Sequence, residues 1–398
     1  MKRNILFAAA LALMTAEALA QNFTVKGEIP GIQQGCKVTL KTVDGYDRHD
    51  FAEGTTTDGG FVISGTVDRP LLVNIRINDK PTYGEREFPA DRGVNFMLCE
   101  GETRISAEHF SKVPRNYEIG DTPLKMERNV VVEGGEAQKH YQEWRNYILD
   151  AEMAAWHIDH VAWKAQFGNG KTDMNPPGFA QMKATGMAAG EMVEVMNREF
   201  VKAHPTYAIS LMLVRRSLSD LFTHTQAELD NIVETMKDNE DPMGYQQLKE
   251  QIAGLKPFTQ GTAYTDLALE LPDGTPKRLS DYIVKGKLNF IDFWASWCGP
   301  CRAAIPSVKE MHRKLGDKVN ILSLSVDNSK EAWHKAMNDE QMPWQQLLVP
   351  KSSSKAMTDA YQVHSIPYLM LIDGDGRVIF TTHDADKAHE EILKQLSR

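Results

Sequence analysis

The sequence predicts three successive kinds of structure: an all-β sandwich, a helical region, and an α/β domain with a mixed sheet flanked by helices. Three observations support this prediction. Between Phe23 and about Ala107, short runs rich in Val, Ile and Phe are separated by turn residues. Between about Gly135 and Gly254, apolar residues recur at helical spacing. From Gly261 onward, strand-like and helical segments alternate.

Length and charge limit the possible classes of protein. The chain has 398 residues, more than one hydrophobic core usually serves, so we expect several domains. Its formal net charge of -9 provides no basic surface of the kind that binds nucleic acid. We therefore expect no nucleic-acid partner.

The first twenty residues have the pattern of a cleaved signal peptide. Lys2 and Arg3 form a short positive region, Ile5–Met14 is apolar, and Ala18-Leu19-Ala20 is a small-x-small cleavage site. The apolar run is too short to span a hydrocarbon core of roughly 30 Å. We therefore predict a signal peptide at residues 1–20 and a mature protein that is soluble in the periplasm, without a stable membrane anchor.

Turn signals and periodicity define the boundaries of the predicted domains. Residues 21–110 form the predicted sandwich, with a hairpin signal at Asp58-Gly59-Gly60. Residues 111–257 form a helical domain or spacer, interrupted by a loop at Gly168–Gly178. Residues 258–398 form the α/β domain. Its order is a β-α-β unit, then a hairpin, then a helix, which is typical of a mixed sheet covered by helices.

The clearest chemical signal is Cys298-Gly299-Pro300-Cys301, between a predicted strand and a predicted helix. This position places Cys298 at a helix N-terminus, where free backbone N–H groups and the helix dipole favour a thiolate. A thiolate is the nucleophile in disulfide exchange. Cys301 follows within the first helical turn, which suits a resolving thiol. The segment therefore predicts a redox-active dithiol.

The segment Asp292–Arg302, read together with Ser365-Ile366-Pro367-Tyr368, resembles the thioredoxin family. The first segment is similar to the active-site motif of thioredoxins. Pro367, 66 residues after Cys301, is similar to the proline of their cis-proline loop. Leu279-Ser280-Asp281-Tyr282 and Lys285-Gly286-Lys287, which precede the predicted strand at Asn289–Trp294, resemble the exported TlpA/ResA-like branch. The resemblance covers residues 258–398 and implies a thioredoxin-like fold with a four- to five-stranded sheet. The β-rich segment before it is similar to a domain of unknown function found in bacterial envelope proteins.

The resemblance also implies a role for each matching residue. Cys298 would attack a substrate disulfide, Cys301 would resolve the mixed disulfide, and Asp292 would be a buried acid that assists Cys301. The substrate would dock against five residues, which are Trp297, Gly299, Pro300, Ile366 and Pro367. A buried carboxyl should have a raised pKa, which suits proton transfer near neutral pH. No bound organic cofactor is implied.

Three positions depart from the family patterns. Many TlpA/ResA-like proteins have glutamate where this chain has Ala304, and asparagine where it has Asp292. These differences put in doubt a role in cytochrome c maturation, which some relatives have. The lysine that accompanies the buried acid in many thioredoxins is replaced by Ser323.

Other cysteine chemistries are less consistent with the sequence. A Cys-x-x-Cys pair can bind zinc, but zinc needs about four ligands, and Cys36 and Cys99 belong to another predicted domain. We therefore predict no metal site. Cys36 and Cys99 could instead form a disulfide within the sandwich, and the sequence leaves their pairing open.

These observations predict a thiol–disulfide oxidoreductase that acts on protein disulfides, most simply as a reductant recharged by a membrane electron donor. The Gly-Pro dipeptide resembles the low-potential type. One alternative is a substrate-binding or assembly module in which the thioredoxin domain is accessory. Another is a disulfide isomerase that dimerises through its upstream domains.

Overall fold

The computed structural model describes residues 21–43, 50–82, 84, 90–115, 122–168, 173, 176–218 and 221–397. The predicted signal peptide lies outside the described residues. The chain divides into two compact units. One comprises Met1–Arg216 with Thr235–Leu248, and the other comprises Ser217–Glu234 with Lys249–Arg398.

The N-terminal part of the first unit contains two β-sheets. Its strands are β1 (Phe23–Glu28), β2 (Lys37–Thr42), β3 (Asp50–Thr55), β4 (Gly60–Gly65), β5 (Leu71–Asn78), β6 (Asp91–Arg92), β7 (Asn95–Leu98), β8 (Gly101–Ala107) and β9 (Val130–Glu133). One sheet has the order β4-β1-β8-β9. The other has the order β3-β2-β5-β6, with β7 also pairing to β5. The β1–β8 pair is parallel, and the other pairs in these sheets are antiparallel.

Alternation along the strands builds one hydrophobic core from both sheets. Phe23 and Val25 of β1 are buried, whereas Thr24 and Lys26 of the same strand are half-buried. In the other sheet, Val73 and Ile75 of β5 alternate in the same way. These side chains belong to a single cluster. This arrangement is expected because successive side chains of a strand point to opposite faces of the sheet.

The middle of the chain is helical, as predicted. Its helices are α1 (Thr122–Glu127), α2 (Glu136–Phe167), α3 (Phe179–Ala203), α4 (Ala208–Ser217), α5 (Gln226–Thr235) and α6 (Pro242–Leu255). The long helices α2 and α3 pack against each other, and most of the predicted Gly168–Gly178 loop between them lies outside the described residues. Within the described ranges, no helix is both long enough and apolar enough to cross a membrane.

The second unit contains a mixed sheet with flanking helices, as predicted. Its strands are β10 (Thr262–Ala263), β11 (Ala268–Glu270), β12 (Pro276–Arg278), β13 (Leu288–Trp294), β14 (Val319–Ser325), β15 (Gln345–Leu348), β16 (Tyr368–Ile372) and β17 (Arg377–Thr382). The strand order is β10-β17-β16-β13-β14-β15-β11-β12. Strands β13, β14 and β15 run parallel. Strand β16 pairs antiparallel with β13, and β17 pairs antiparallel with β16.

The sheet has eight strands, so the prediction of four to five strands was too low. The five central strands, β17-β16-β13-β14-β15, account for the predicted number. The other three are only two or three residues long. Segments this short carry almost no periodicity, so their pairing to a sheet edge cannot be read from the sequence.

Four helices accompany this sheet: α7 (Gly299–Leu315), α8 (Lys330–Glu340), α9 (Ser354–Tyr361) and α10 (Ala385–Leu396). The side chains of β13 alternate between two hydrophobic clusters, with Ile291 and Phe293 in one and Phe290 in the other. Phe290, Asp292 and Trp294 therefore share one face of the strand. On this face Phe290 packs with Val308 of α7 and Ile392 of α10.

Candidate active site

Cys298 and Cys301 lie at the junction between the central strand and its helix. Strand β13 ends at Trp294, and Cys298 is the residue immediately before α7. The two cysteines form a disulfide with an S–S distance of 2.07 Å and a Cα–Cα distance of 5.3 Å. The backbone N–H of Cys301 donates a hydrogen bond to Cys298 Sγ at 3.1 Å. An N–H group in the first turn of a helix lacks an intrahelical acceptor and is free for this contact.

Exposed residues flank the disulfide in the sequence. Trp297 is 68% exposed, and Gly299 and Pro300 are also exposed. Both cysteines are buried, at 4% and 3% exposure. Exposure therefore does not distinguish Cys298 from Cys301 while the two form a disulfide. An exposed tryptophan beside a reactive sulfur is a typical contact for an incoming polypeptide.

The predicted proline loop lies against the disulfide. The Ile366–Pro367 peptide bond is cis, the isomer that the resemblance implies. The carbonyl oxygen of Ile366 lies 3.8 Å from Cys298 Sγ. His383 Nδ1 lies 2.6 Å from the carbonyl oxygen of Pro367. Sequence reasoning missed His383, because nothing near it in the sequence points to Pro367, sixteen residues earlier.

Asp292 is buried in the middle of β13. Its exposed fraction is 6%, and burial raises its pKa from 3.8 to about 7, whereas a hydrogen bond from Ser323 acts in the opposite direction. The Ser323 hydroxyl donates to Asp292 Oδ2 at 3.1 Å. The raised pKa predicted from a buried strand position therefore agrees with the environment of this carboxyl.

A second buried carboxylate, Asp327, holds the segment that precedes Cys298. Its oxygens accept hydrogen bonds from the backbone N–H of Ser296 at 2.8 Å and from the Ser296 hydroxyl at 2.6 Å. The Ser325 hydroxyl donates to the same carboxylate at 2.8 Å. The sequence offered one signal for this contact: Asp327 follows a buried strand that is parallel to β13. The carboxyl ends of parallel strands meet at one edge of the sheet, where loops converge.

Cys36 and Cys99 are both free thiols, and the strand register explains why they are unpaired. Val38 of β2 lies opposite Ile77 of β5, so Cys36 lies beyond the C-terminal end of β5. Leu98 of β7 lies opposite Leu71, so Cys99 lies beyond the other end of β5. Eight residues of strand span roughly 27 Å. A disulfide requires Cα atoms within about 7 Å of each other.

Burial raises the pKa of both of these thiols. Cys36 is completely buried in the N-terminal unit, and Cys99 is half-buried. Among the residues that the structure describes, no group of three or more His, Cys, Asp or Glu side chains is arranged to hold a metal ion.

Two family profiles match this chain. Residues 286–378 match the thioredoxin-like family, and residues 23–141 match a domain of unknown function, DUF4369. The first match includes the dithiol, Asp292 and the cis-proline loop. The second covers the two N-terminal sheets and the start of α2.

Individual relatives align with the C-terminal domain. The thiol-disulfide oxidoreductase ResA of Bacillus subtilis is 29% identical over 138 residues, which are 34% of this chain and 74% of ResA. A thioredoxin from Rhodospirillum rubrum is 34% identical over 93 residues, which are 23% of this chain and 64% of that protein. The crystal structure of the thioredoxin domain of a thiol-disulfide oxidoreductase from Bacteroides vulgatus aligns with a TM-score of 0.32 and 25% identity. That alignment covers 34% of this chain and 95% of the Bacteroides chain.

The site geometry and the family matches agree on the kind of chemistry. A disulfide lies at the N-terminus of α7, beside a cis-proline loop, within the segment that the thioredoxin-like family matches. The chain therefore has a thioredoxin-like C-terminal domain that is similar to the thiol-disulfide oxidoreductase ResA, and this domain follows an N-terminal DUF4369 domain.

Proposed function

We propose that this protein reduces disulfides of other proteins in the cell envelope. In the first step, the Cys298 thiolate attacks one sulfur of the substrate disulfide. A Cys298–substrate disulfide forms, and a substrate thiolate leaves. Cys301 then gives up its proton and attacks Cys298 Sγ, which releases the second substrate thiol and forms the Cys298–Cys301 disulfide. Two electrons thus pass from the dithiol to the substrate.

The observation that carries this proposal is the position of Cys298 Sγ, which accepts the Cys301 N–H and lies next in sequence to the exposed Trp297 and against the half-buried proline loop. We propose that Trp297, Gly299 and Pro300 form one side of the docking surface. The backbone of Ile366, before Pro367, would form the other side by pairing with the substrate chain as an added strand. The Ile366 carbonyl, 3.8 Å from Cys298 Sγ, would then be next to the reacting bond.

Asp292 would accept the proton of Cys301. Asp292 shares a face of β13 with Trp294, and Trp294 packs in the same cluster as Cys301. Burial raises the pKa of Asp292 to about 7, so the carboxyl is about half ionised at neutral pH. A group with a pKa near the working pH is the most effective proton acceptor. Reduction should therefore slow as the pH falls below about 7, where Asp292 becomes protonated.

The electrostatic surroundings of Cys298 support the reductant direction. Strong oxidants of this class owe their high potential to a stabilised reduced thiolate. Here the Ile366 carbonyl oxygen lies 3.8 Å from Cys298 Sγ and offsets part of the stabilisation that the Cys301 N–H gives to a thiolate. A less stabilised thiolate corresponds to a lower potential. The reductant would need electrons from a membrane protein, and the signal-peptide pattern at residues 1–20 supports an exported location.

The test is the redox potential of Cys298–Cys301, measured by equilibrating the protein in thiol buffers and quantifying free thiols. The variant C36A/C99A removes the contribution of the other two cysteines and is the form to titrate. A potential near about -270 mV, in the range of thioredoxin, would support the reductant. A potential near about -120 mV would identify an oxidant that installs disulfides and would overturn the reductant direction.

A further inference from the structure

The buried acid has a polar neighbourhood that the exchange reaction does not itself require. Asp292 of β13 lies directly opposite Ser323 of β14, and the Ser323 hydroxyl donates to Asp292 Oδ2 at 3.1 Å. The indole N–H of Trp344 donates to the Ser323 hydroxyl oxygen at 2.8 Å. All three residues are buried, and Ser323 is 0% exposed. The result is a directed chain of two hydrogen bonds that ends at the carboxyl.

The indole determines which way the serine hydroxyl points. A hydroxyl can donate one hydrogen bond and can accept others, whereas an indole N–H can only donate. Because Trp344 donates to Ser323 Oγ, the hydroxyl proton remains available for Asp292. A buried hydroxyl oriented in this way stabilises the ionised carboxylate more than the neutral carboxyl.

We propose that Ser323 and Trp344 are positioning residues that keep a substantial fraction of Asp292 ionised at neutral pH. This proposal rests on the proposed role of Asp292 as the proton acceptor of Cys301. Without the hydroxyl, only the cost of burying a charge would act on Asp292, and the carboxyl would stay protonated to higher pH. The pair would thus stabilise the ionised carboxylate with two neutral hydrogen-bond donors, as a positive charge beside the buried acid would.

The effect of Ser323 and Trp344 on Asp292 must be distinguished from the effects of ionisable groups on the elements packed around this face of β13. Strand β16, on the other side of β13, places Leu369 opposite Asp292 and adds no charge. The ionisable residues on the helices of this face and at their N-caps, buried or partly buried, are Cys298, Cys301, Lys309, Glu310, His312, His334, Glu340, Asp384, Asp386, His389 and Glu391. His312 lies beside the proposed pair, with its ring centroid 5.7 Å from that of Trp344. Glu391 is paired with Lys394 at 2.9 Å.

The test compares Ser323→Thr with Ser323→Val in the full-length protein. Threonine and valine have nearly the same shape, so both crowd the site equally, but only threonine retains the hydroxyl. The readout is the pH titration of the Asp292 carboxyl carbon by NMR in the oxidised protein, where Cys298 and Cys301 do not titrate. The Asp292 signal is assigned as the one missing from Asp292→Asn.

We expect the Asp292 midpoint to rise by about one pH unit in Ser323→Val, which is a tenfold change in proton affinity. Ser323→Thr should stay within roughly 0.3 unit of the parent. Trp344→Phe removes the N–H and should move the midpoint in the same direction by a smaller amount. His312→Gln is the control for the nearby histidine and should leave the midpoint unchanged. If crowding unfolds both Thr and Val variants, Ser323→Ala gives the same comparison without crowding.

Equal midpoints in the parent and in the Val and Ala variants would overturn the proposal. A pH profile of substrate reduction separates this failure from a failure of the proposed function. If the acidic limb of the rate profile moves with the NMR midpoint, both the pair and the proton acceptor are supported. If the midpoint moves and the rate profile does not, the hydrogen-bond pair is supported and the role of Asp292 in proton transfer fails.

Discussion

Cys36 and Cys99 in the N-terminal unit have surroundings opposite to those of Cys298 and Cys301 in the C-terminal unit. The first two lie at opposite ends of β5 and remain free thiols. The other two lie one helical turn apart at the start of α7 and form a disulfide. Burial raises the pKa of each N-terminal thiol, whereas Cys298 Sγ accepts a backbone N–H from the first turn of a helix.

The comparison shows that the residue type alone does not determine thiol chemistry. Two sulfurs exchange electrons only if the backbone brings them within bonding distance and the first of them can carry a negative charge. A strand–helix junction meets both conditions, because it combines a tight loop with unpaired N–H groups. Cys36 and Cys99 meet neither condition, because the strand register separates them and burial disfavours a thiolate at each.

The most direct test of the comparison is to remove Cys298 in one variant and both Cys36 and Cys99 in another. Cys298→Ala should reduce disulfide exchange to the uncatalysed rate of the thiol buffer, because no nucleophile remains to form the mixed disulfide. The variant C36A/C99A should keep the full rate. The measurement is turnover of a model protein disulfide. Loss of activity in C36A/C99A, with the fold intact by circular dichroism, would show that the N-terminal thiols take part.

The buried acid should make the stability of the oxidised protein depend on pH. The pKa of Asp292 is raised from 3.8 to about 7, so the folded state binds a proton more tightly than the unfolded state. Stability from this group is therefore present below about pH 4 and is lost as the pH rises towards 7. At about 1.4 kcal/mol per pKa unit, the upper limit of this loss is about 4 kcal/mol.

Asp292→Asn should therefore be more stable than the parent at pH 8, and this difference should shrink towards pH 4. Denaturant unfolding of the oxidised full chain at several pH values measures the effect. Asp339→Asn, an exposed position on α8, is the matched control. A stability difference that does not change with pH would mean that the carboxyl of Asp292 is not shifted.

Alkylation rates sharpen the comparison between the two kinds of thiol. In the reduced protein at pH 7, iodoacetamide should modify Cys298 at least about tenfold faster than Cys36 or Cys99, since each unit of thiol pKa changes the thiolate fraction tenfold. Mass spectrometry of the digested protein reports each site separately. Cys36 should react only after denaturant is added, because it is completely buried. Equal rates at the three sites would contradict the assigned environments.

The smallest expected effect concerns the segment that carries Cys298. Ser296→Ala removes the 2.6 Å hydrogen bond to Asp327 and leaves the backbone N–H bond of the same residue in place. A single buried hydrogen bond contributes about 1 kcal/mol, so turnover should fall several-fold. Ser307→Ala, on the exposed side of α7, is the control. An unchanged rate in Ser296→Ala would mean that the backbone bond alone positions the segment.

Much of the fold and the reactive centre could be predicted from the sequence, because the signals are local. The Cys298–Cys301 segment, the strand before it and the helix after it lie within a few consecutive residues, and their periodicity and turn residues are explicit. The β-rich start, the helical middle and the mixed sheet at the end were predicted for the same reason. Helix α9 was missed, because its eight residues are too few to establish a helical period.

Other parts of the site depend on residues that are distant in the sequence. His383 meets the proline loop because β16 and β17 are paired, and Asp327 meets Ser296 because β13 and β14 are parallel. Hydrogen bonds across a sheet depend on register, and a shift of one residue turns every side chain to the other face. Local patterns do not specify that register for short strands.

The sequence by itself determined the identity of the dithiol, the buried position of Asp292 and the order of the three regions, because composition and periodicity are properties of neighbouring residues. Only the tertiary structure decided that Cys36 and Cys99 lie too far apart to pair, and that Trp344 and Ser323 point a hydroxyl at Asp292. These outcomes depend on strand register and on the meeting of distant segments. The packed sheet sets both, through the combined free energy of many contacts rather than through any one stretch of chain.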